Sequence, residues 1–389
     1  MIAVNVWIGV LMEFRELDNL LLYEFLKNFA LSLIGVFIPV YIVSQGFGLV
    51  PAALFIVISG VTGVVLSYPV SRLIAGIGFK HSLAASYLFL IPGLVVIRWF
   101  ELSLIVIVAS SLLYNLGRLL HNISMNSEFA VDSKEERRAS DSGKMLSLPS
   151  ISRIIAPLTG GLIFAGLGFG ELMAMTVFIL FLSVIPLIRS RDHRDSLDYD
   201  FGELLDEEIK KTIPLFTARG IQGATAVCIF GLFVYMVIGG SIDVGGARAL
   251  DSLGFVLTGL LVGHLSSKID KDKFVLIGCS GAAFMYLLRG FLVSPLQVFL
   301  VSFVSGIFFQ VYHVPIFSSF ADEAEKTEIL EFYTLKRIFS SLGNILSVTT
   351  LVLFFVLYDL RTGFIASFTL GSIATLLMAV IYRSEKELN

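Results

Sequence analysis

The sequence predicts an all-α integral membrane protein with about twelve transmembrane helices in two pseudo-symmetric six-helix bundles. Hydrophobic residues make up 56% of the 389 residues and charged residues only 15%. The mean hydropathy is +0.87. Apolar stretches of about 20 residues, the length that crosses the hydrocarbon core, follow one another with short polar breaks between them. Because a soluble domain could not cover this much apolar surface, lipid is expected to surround most of the chain.

The polar breaks set the order of the helices. The predicted spans are 20–44, 49–71, 80–99, 102–125, 144–167, 170–189, 213–238, 246–267, 273–293, 296–318, 336–358 and 362–382. The one long polar stretch, 190–212, is rich in Arg, Asp and Glu. It divides the chain into an N-terminal bundle, 1–189, and a C-terminal bundle, 213–389. Within it, Phe201 to Lys211 forms either a short surface helix or part of a solvated linker.

Basic residues are distributed unequally between the two sides of these spans. Of the 28 Lys and Arg, twenty fall on the side of both termini and four at or near the opposite side. The remaining four, Lys27, Arg118, Arg153 and Arg219, lie deeper inside spans. Because cytoplasmic loops are enriched in Lys and Arg, we expect both termini in the cytoplasm and the protein in the cell membrane.

The beginning of the chain leaves two alternatives open. The first twelve residues are apolar but lack the basic segment and cleavage site of a signal peptide. Met12 is a plausible alternative start. Residues 1–11 are therefore either an interfacial stub or no part of the native protein.

The composition argues against several kinds of function. No basic tail or basic-and-aromatic stripe indicates binding to nucleic acid. The two cysteines, Cys228 and Cys279, lie inside predicted spans and are expected to be small apolar core residues. The sequence has no zinc-ligand spacing, no phosphate-binding loop and no nucleophile beside a base. We therefore expect no enzyme activity, no cofactor and no metal.

The two halves of the chain resemble each other in sequence. The segment Val-Tyr-Ile-Val at 40–43 recurs as Val-Tyr-Met-Val at 234–237, and at the same spacing Asn28 falls opposite Gln222. Such order and spacing indicate a six-plus-six duplication. A duplicated bundle of this kind encloses a polar cavity between its halves, and rocking of the halves opens that cavity to alternate sides.

This layout resembles the major facilitator superfamily of transporters along the whole chain. The family's signature between spans two and three, G-x-x-x-D-R/K-x-G-R-K/R, is present in reduced form at 73–81, which keeps Gly78 and Lys80. Ala75 stands where the family usually has Asp. The equivalent break after span eight keeps basic residues, among them Lys268, and has lost the Gly. The resemblance implies a charge lock between the halves that lacks its acid in the first half.

Spans four and five resemble those of the family's drug/proton antiporters. The span-five pattern G-x8-G-x3-G-P-x2-G-G is matched, with small residues replacing two glycines, by Gly143, Ser152, Ala156, Pro157, Gly160 and Gly161. Small residues let helices approach closely, and Pro with Gly permits bending, although Pro and Gly are common in membrane helices in general. Span four keeps only Arg118 of the pattern R-x-x-Q-G-x-G. A helix-anchoring role is expected for Arg153 and its span-eleven counterpart Arg337.

Ionisable and polar residues inside the spans are the candidate functional site, because such groups are expensive in lipid unless paired or hydrated. Glu24, Lys27 and Asn28 are spaced to lie on one face of span one. In the resembled fold, spans one, four, seven and ten line the cavity. The predicted substrate and proton-coupling residues are therefore Glu24, Lys27, Asn28, Arg118, His121, Arg219, Gln222, Gln310 and His313.

Glu24 is the expected proton carrier, with Arg118 tuning it. Desolvation disfavours the charged form of a carboxylate and a nearby Arg favours it, so the two effects together poise the group to exchange a proton. The alternative is that Glu24 and Lys27 extend to the headgroups of the inner face. Near the outer face, Arg248 and Asp251 are expected to form a local ion pair at the mouth of the bundle, and Arg289 is expected to reach the headgroups.

The resemblance implies a secondary active transporter that works by alternating access. Our first expectation is proton-coupled export of small amphipathic molecules, with the proton gradient as the energy source. An uptake carrier for an organic anion is the alternative, because deep bases outnumber deep acids. A non-transporting receptor, scaffold or scramblase on the same fold is a third possibility. The expected partners are a small-molecule substrate and the lipid bilayer, and the family resemblance implies a monomer.

Overall fold

The computed structural model describes residues 22–132, 138–188, 207–265, 271–326 and 329–387. These ranges form twelve helices that run antiparallel one after another. They are α1 (Leu22–Phe47), α2 (Leu49–Ile77), α3 (Phe79–Trp99), α4 (Leu104–Asp132), α5 (Arg138–Gly166), α6 (Phe169–Ile188), α7 (207–238), α8 (Ser241–Leu265), α9 (Lys271–Arg289), α10 (Pro295–Lys326), α11 (Ile329–Leu357) and α12 (Leu360–Glu387). The all-α fold predicted from the hydropathy is confirmed, and each predicted span overlaps one helix.

Among the described residues, four helices (α5, α7, α8 and α11) begin five to seven residues before their predicted spans. Helix α8 begins at Ser241 and not at 246. In its first turn the Asp243 carboxylate accepts a 3.0 Å hydrogen bond from the Gly240 backbone N–H, which satisfies a donor at the helix start. Helix α7 begins at Glu207, inside the predicted central loop. Most of 190–212 lies outside the described residues, so the domain boundary there stays a prediction.

The outer surface of the bundle is apolar. Nine helices within the described ranges are long and apolar enough to cross a membrane. Large apolar side chains point outward along them; Leu88 is 72% and Ile105 is 81% exposed. At one end of the bundle the exposed rings of Trp99 and Tyr358 lie where membrane proteins concentrate interfacial aromatics. The surface therefore fits lipid, as the composition predicts.

The two ends of the bundle are distinguished here as the basic face and the opposite face. The basic face carries the α2–α3 turn at Gly78 and the end of α12, where the sequence places most Lys and Arg. Gly78 has a φ of +91°, a conformation that lets the chain reverse between two long helices with no extra residues. That the basic face is cytoplasmic stays a prediction from the distribution of charge.

Close contacts at glycines pack neighbouring helices within each six-helix bundle. In the first bundle, a Cβ added to Gly93 of α3 would lie 2.5 Å from the Tyr114 backbone nitrogen of α4. In the second bundle, a Cβ on Gly278 of α9 would lie 2.6 Å from the Tyr312 backbone nitrogen of α10. In both bundles a glycine of the third helix lets the backbone of the fourth helix approach closely.

The two bundles meet through small residues of α5 and α8. A Cβ on Gly161 would lie 2.6 Å from the Ser241 carbonyl oxygen, and Gly245 of α8 lies against the Pro157 carbonyl of α5. A second contact across the bundles joins α2 to α11, where Gly60 lies against Ile345. Small residues at these places let the backbones approach closely.

Helices α1 and α7 close the interior toward the opposite face. Both end in a π-helical turn, at Val43–Phe47 and Val234–Ile238. The side chain of Val36 on α1 lies against Gly231 on α7, so that a Cβ there would be 2.5 Å away. Buried aromatic residues continue this layer, among them Phe233. The structure therefore describes a state that is closed on the opposite face.

Candidate functional site

A cavity of about 560 Å³ lies between the two bundles, below the layer that closes the opposite face. Side chains from both bundles line it. Its basic lining residues are Lys27, Arg118, Arg153, Arg219, Arg248 and Arg337. Asp251 is the acidic residue among the described lining residues. The cavity wall therefore carries a large excess of positive charge.

Arg219 is held in place by contacts within α7 and with α10 of the same bundle. Its Nη1 donates a 2.6 Å hydrogen bond to the Gln222 side-chain oxygen. The Gln222 amide nitrogen in turn donates to the Tyr286 hydroxyl of α9 at 2.6 Å. The Arg219 guanidinium also lies 4.9 Å from the ring centroid of Phe309. These contacts fix the arginine beside the cavity without neutralising its charge.

Four of the cavity arginines have no acidic partner among the residues that the structure describes. Within the described ranges no carboxylate lies within 4.0 Å of the side-chain nitrogens of Arg118, Arg153, Arg219 and Arg337. Arg118 instead lies 5.8 Å from the ring centroid of Tyr114. The Nε atom of Arg337 is buried and makes no hydrogen bond. The predicted pairing of Glu24 with Arg118 is therefore not found. Arg153 and Arg337, expected to anchor helices, contribute to the cavity wall.

Glu24 belongs to a cluster beside the cavity. One carboxylate oxygen lies 3.8 Å from the Lys27 Nζ and 3.5 Å from the His121 Nε2 of α4. Asn28 donates a 2.6 Å hydrogen bond to the other oxygen. Lys27 is only 3% exposed, so the alternative in which it extends to the headgroups is wrong. Lys27 and Asn28 also line the cavity, which places the cluster next to any bound molecule.

Tyr23 completes this cluster and was not predicted. Its hydroxyl lies 2.9 Å from the His121 Nδ1, on the far side of the ring from Glu24. When Nδ1 accepts a hydrogen bond from the hydroxyl, Nε2 carries the ring proton and faces the carboxylate. Tyr23 immediately precedes Glu24 in the sequence, but a tyrosine at the start of a span is usually an interfacial residue. No sequence signal marked it.

A second polar cluster joins the cavity wall to a break in α7. Arg248 lies 3.1 Å from the Asp251 carboxylate, and Arg289 lies 3.9 Å from its other oxygen. Both arginines also donate to the Ala226 carbonyl, at 3.5 and 3.4 Å. Ala226 belongs to the π-helical turn Thr225–Ile229, where the α-helical pattern of backbone hydrogen bonds is interrupted. The pair Arg248–Asp251 thus lies in the cavity wall and not at an outer mouth.

Arg289 does not reach the headgroups, contrary to the prediction. It is 1% exposed. Its Nη2 donates to the Ser305 hydroxyl at 3.0 Å, and its guanidinium lies 4.0 Å from the ring centroid of Phe230. The residue turns inward because Ser305, Asp251 and the Ala226 carbonyl offer partners inside the bundle.

Four predicted site residues are not part of the cavity lining: Glu24 and His121 belong to the cluster beside it, and Gln310 and His313 lie behind its wall. Gln310 of α10 is buried with its side-chain nitrogen near Gly259 of α8, and its side-chain oxygen has no hydrogen-bond partner. The His313 ring stacks on Phe309 at 5.0 Å and on Phe317 at 5.8 Å. Both residues therefore support the wall from behind and do not face the cavity.

The residues predicted for conformational change and packing fall in two regions. Gly78 and Lys80 lie at the α2–α3 turn, and Lys268 lies outside the described residues. Ala156 is fully buried in α5, and Gly160 lies against the Leu33 carbonyl of α1. Among the described residues, no group of three His, Cys, Asp or Glu side chains is placed to hold a metal.

No model of a protein family matches this chain, and no curated protein matches it. Solved structures do. One is a POT family transporter in complex with a thioalcohol-conjugated peptide, with a TM-score of 0.76 and 13% identity, covering 95% of this chain and 96% of that one. Another is a POT family transporter in complex with 5-aminolevulinic acid, with a TM-score of 0.77, 13% identity and the same coverage.

A third match is the peptide transporter POT, as a glutamate-to-glutamine mutant in complex with sulfate. Its TM-score is 0.70 at 15% identity, and the match covers 96% of this chain and 94% of that one. At these identities the likeness establishes the fold. The part of the family resemblance that concerns the fold is thereby confirmed. The drug/proton antiporter subgroup stays a prediction.

Proposed function

We propose that this chain is a secondary active transporter that binds an organic anion in the central cavity and moves it by alternating access. The observation that carries the proposal is a set of four arginines around one cavity that have no acidic partner among the described residues. Guanidinium groups are the side chains best suited to hold carboxylates and phosphates through paired hydrogen bonds. An anion is the ligand that this wall would stabilise.

The first expectation from the sequence is export of amphipathic molecules. The positive charge of the cavity argues against this function for molecules that are cations. A cation in this cavity would meet six basic side chains and one carboxylate, and charge repulsion inside a bundle is screened poorly. Of the functions considered from the sequence, the organic-anion carrier therefore fits best. Two transporters with the same fold have structures in complex with 5-aminolevulinic acid and with sulfate, a carboxylic acid and an inorganic anion.

Alternating access has a physical basis in the contacts between the bundles. The cavity is closed toward the opposite face where Val36 lies against Gly231. The α5–α8 contact depends on small residues such as Gly161 and Gly245, which pack without interlocking long side chains. Rocking of one bundle against the other about such contacts would expose the cavity to the other side.

Glu24 is the proposed proton carrier, with His121 and Lys27 as its partners in place of Arg118. An ionisable group held inside a bundle beside a substrate cavity is where a transporter couples protons to its cargo. The carboxylate lies 3.5 Å from the His121 ring nitrogen and 3.8 Å from the Lys27 ammonium. Because Lys27 also lines the cavity, a bound anion would compete with Glu24 for the same cation.

The experiment that tests this function uses the purified protein in liposomes that enclose a pH-sensitive dye. Organic anions and lipophilic cations are added in turn to the wild type and to Glu24→Gln. We expect proton movement with an anion, and we expect it to be lost in Glu24→Gln. The matched control is Glu171→Gln, which changes an exposed glutamate at the start of α6. Proton movement with lipophilic cations alone would overturn the proposal.

A further inference from the structure

We infer that the transported anion carries at least two negative charges, as a dicarboxylate or a phosphate ester does. The inference rests on the proposed function and adds the charge of the substrate. It comes from the balance of charge around the cavity. Arg248 is paired with Asp251, and Lys27 is paired with Glu24. The charges of Arg118, Arg153, Arg219 and Arg337 remain without a carboxylate within 4.0 Å among the residues that the structure describes.

When the cavity closes, this excess positive charge becomes energetically unfavourable unless the substrate compensates it. In the present state, water entering the cavity can hydrate the guanidinium groups; Arg153 in particular is exposed. Alternating access requires an intermediate in which both sides are closed and much of that water has left. An ionised group without a partner is strongly destabilising in such an interior. A monoanion would leave three of the four charges uncompensated, whereas a dianion would leave two.

The positions of the four arginines point to the same class of ligand. Arg118 and Arg153 come from α4 and α5 of the first bundle, and Arg219 and Arg337 come from α7 and α11 of the second. A ligand with two acidic groups, or with one phosphate whose oxygens face several donors, can engage both bundles at once. Simultaneous contacts to both bundles would draw the bundles together. A single monodentate carboxylate has fewer oxygens available for such contacts.

The remaining cavity wall accepts a short carbon skeleton. Leu31, Ile56 and Val227 add apolar surface between the charged groups. The cavity volume of about 560 Å³ lies within the range of small-molecule sites. The fixed position of Arg219, through Gln222 and Phe309, means that little side-chain ordering remains when the ligand binds. The site is therefore preorganised for a small, strongly charged anion.

The test compares anions that differ mainly in charge. Purified protein in detergent is titrated with butyrate, succinate and sn-glycerol 3-phosphate, and binding is read from calorimetry and from thermal stabilisation. We expect succinate and glycerol 3-phosphate to bind about tenfold or more tightly than butyrate. Arg118→Gln and Arg219→Gln should reduce that ratio. Arg98→Gln, the same change at an exposed arginine of α3, should leave it unchanged.

The affinities of the wild-type protein for the three anions test the inference even if a variant folds poorly. Butyrate binding as tightly as the two dianions would overturn the inference about charge and leave the organic-anion function standing. Failure of all three anions to bind at millimolar concentration, with tetraphenylphosphonium bound instead, would overturn both.

Discussion

The Gln222 amide links two residues that come from different helices: its oxygen accepts a 2.6 Å hydrogen bond from Arg219, and its nitrogen donates a 2.6 Å hydrogen bond to Tyr286. Gln222 is buried. The amide therefore satisfies a tyrosine inside the second bundle and positions a cavity arginine at the same time. It positions that arginine without adding a negative charge, which leaves the Arg219 charge available to a ligand.

Two substitutions of Gln222 should distinguish its hydrogen bond to Tyr286, which supports stability, from its lack of charge beside Arg219, which supports anion binding. Gln222→Leu leaves the Tyr286 hydroxyl without its partner, and we expect a loss of about 1–3 kcal/mol in the free energy of unfolding. Gln222→Glu keeps the shape and can pair with Arg219, so its stability should stay near that of the wild type. Its anion affinity should fall about tenfold, because the new carboxylate competes with the ligand. Thermal unfolding and calorimetry on both variants check this, and undiminished affinity in Gln222→Glu would contradict it.

His121 should be required for proton coupling but not for movement of the substrate. His121→Leu removes the group that lies between the Tyr23 hydroxyl and the Glu24 carboxylate. We expect exchange of anion across the membrane to continue while accumulation driven by a pH gradient is lost. The matched control is His313→Leu, because His313 stacks among aromatic rings away from the cavity lining. Equal loss of accumulation in both variants would argue against a specific role for His121.

Arg289 should be among the most sensitive positions for stability. Its removal leaves the Ala226 carbonyl and Ser305 with one partner fewer and leaves Asp251 with Arg248 alone. For Arg289→Gln we expect a loss of about 1–3 kcal/mol in the free energy of unfolding, because buried hydrogen-bonding groups lose a charged partner while Asp251 keeps Arg248. Arg361→Gln provides the comparison, since that arginine lies at the exposed start of α12. Thermal unfolding in detergent measures both, and similar midpoints for the two variants would refute the assignment.

The α5–α8 contact should tolerate no side chain at Gly245. A Cβ at this position would collide with the Pro157 carbonyl. Gly245→Ala should therefore push the two helices apart and lower both stability and transport rate. Gly76→Ala is the control, because no atom lies within 4 Å of a Cβ there. That control should be neutral or more stable by up to about 1 kcal/mol, the gain of Ala over Gly in a helix.

The helical architecture could be predicted from the sequence because its physical cause, the length of each apolar stretch, can be read directly. Apolar length sets each span, and the duplication places matching residues at matching sites, such as the π-helical turns at the ends of α1 and α7. The depth of Lys27, Arg118, Arg153 and Arg219 could also be read from the spans. Each of these four residues does line the cavity.

The partners of these residues could not be predicted, because pairing depends on the rotation and depth of each helix against its neighbours. Glu24 pairs with Lys27 and His121, and not with Arg118, because α4 places His121 at the carboxylate. The sequence predicts that Arg289 reaches the headgroups because it ends a span, but it does not show which way such a side chain turns. Arg289 donates to the Ala226 carbonyl, which belongs to a π-helical turn. No residue pattern in the sequence predicts that turn.

The most direct test of the central claim, that the unpaired cavity arginines bind an anionic substrate, is counterflow of labelled succinate in liposomes. Wild-type protein, the double variant Arg118→Gln/Arg219→Gln and the control Arg98→Gln are loaded with unlabelled succinate and diluted into the labelled compound. We predict rapid accumulation of label by the wild type and Arg98→Gln, and at least about a tenfold lower rate in the double variant. Equal rates in all three proteins would contradict the account.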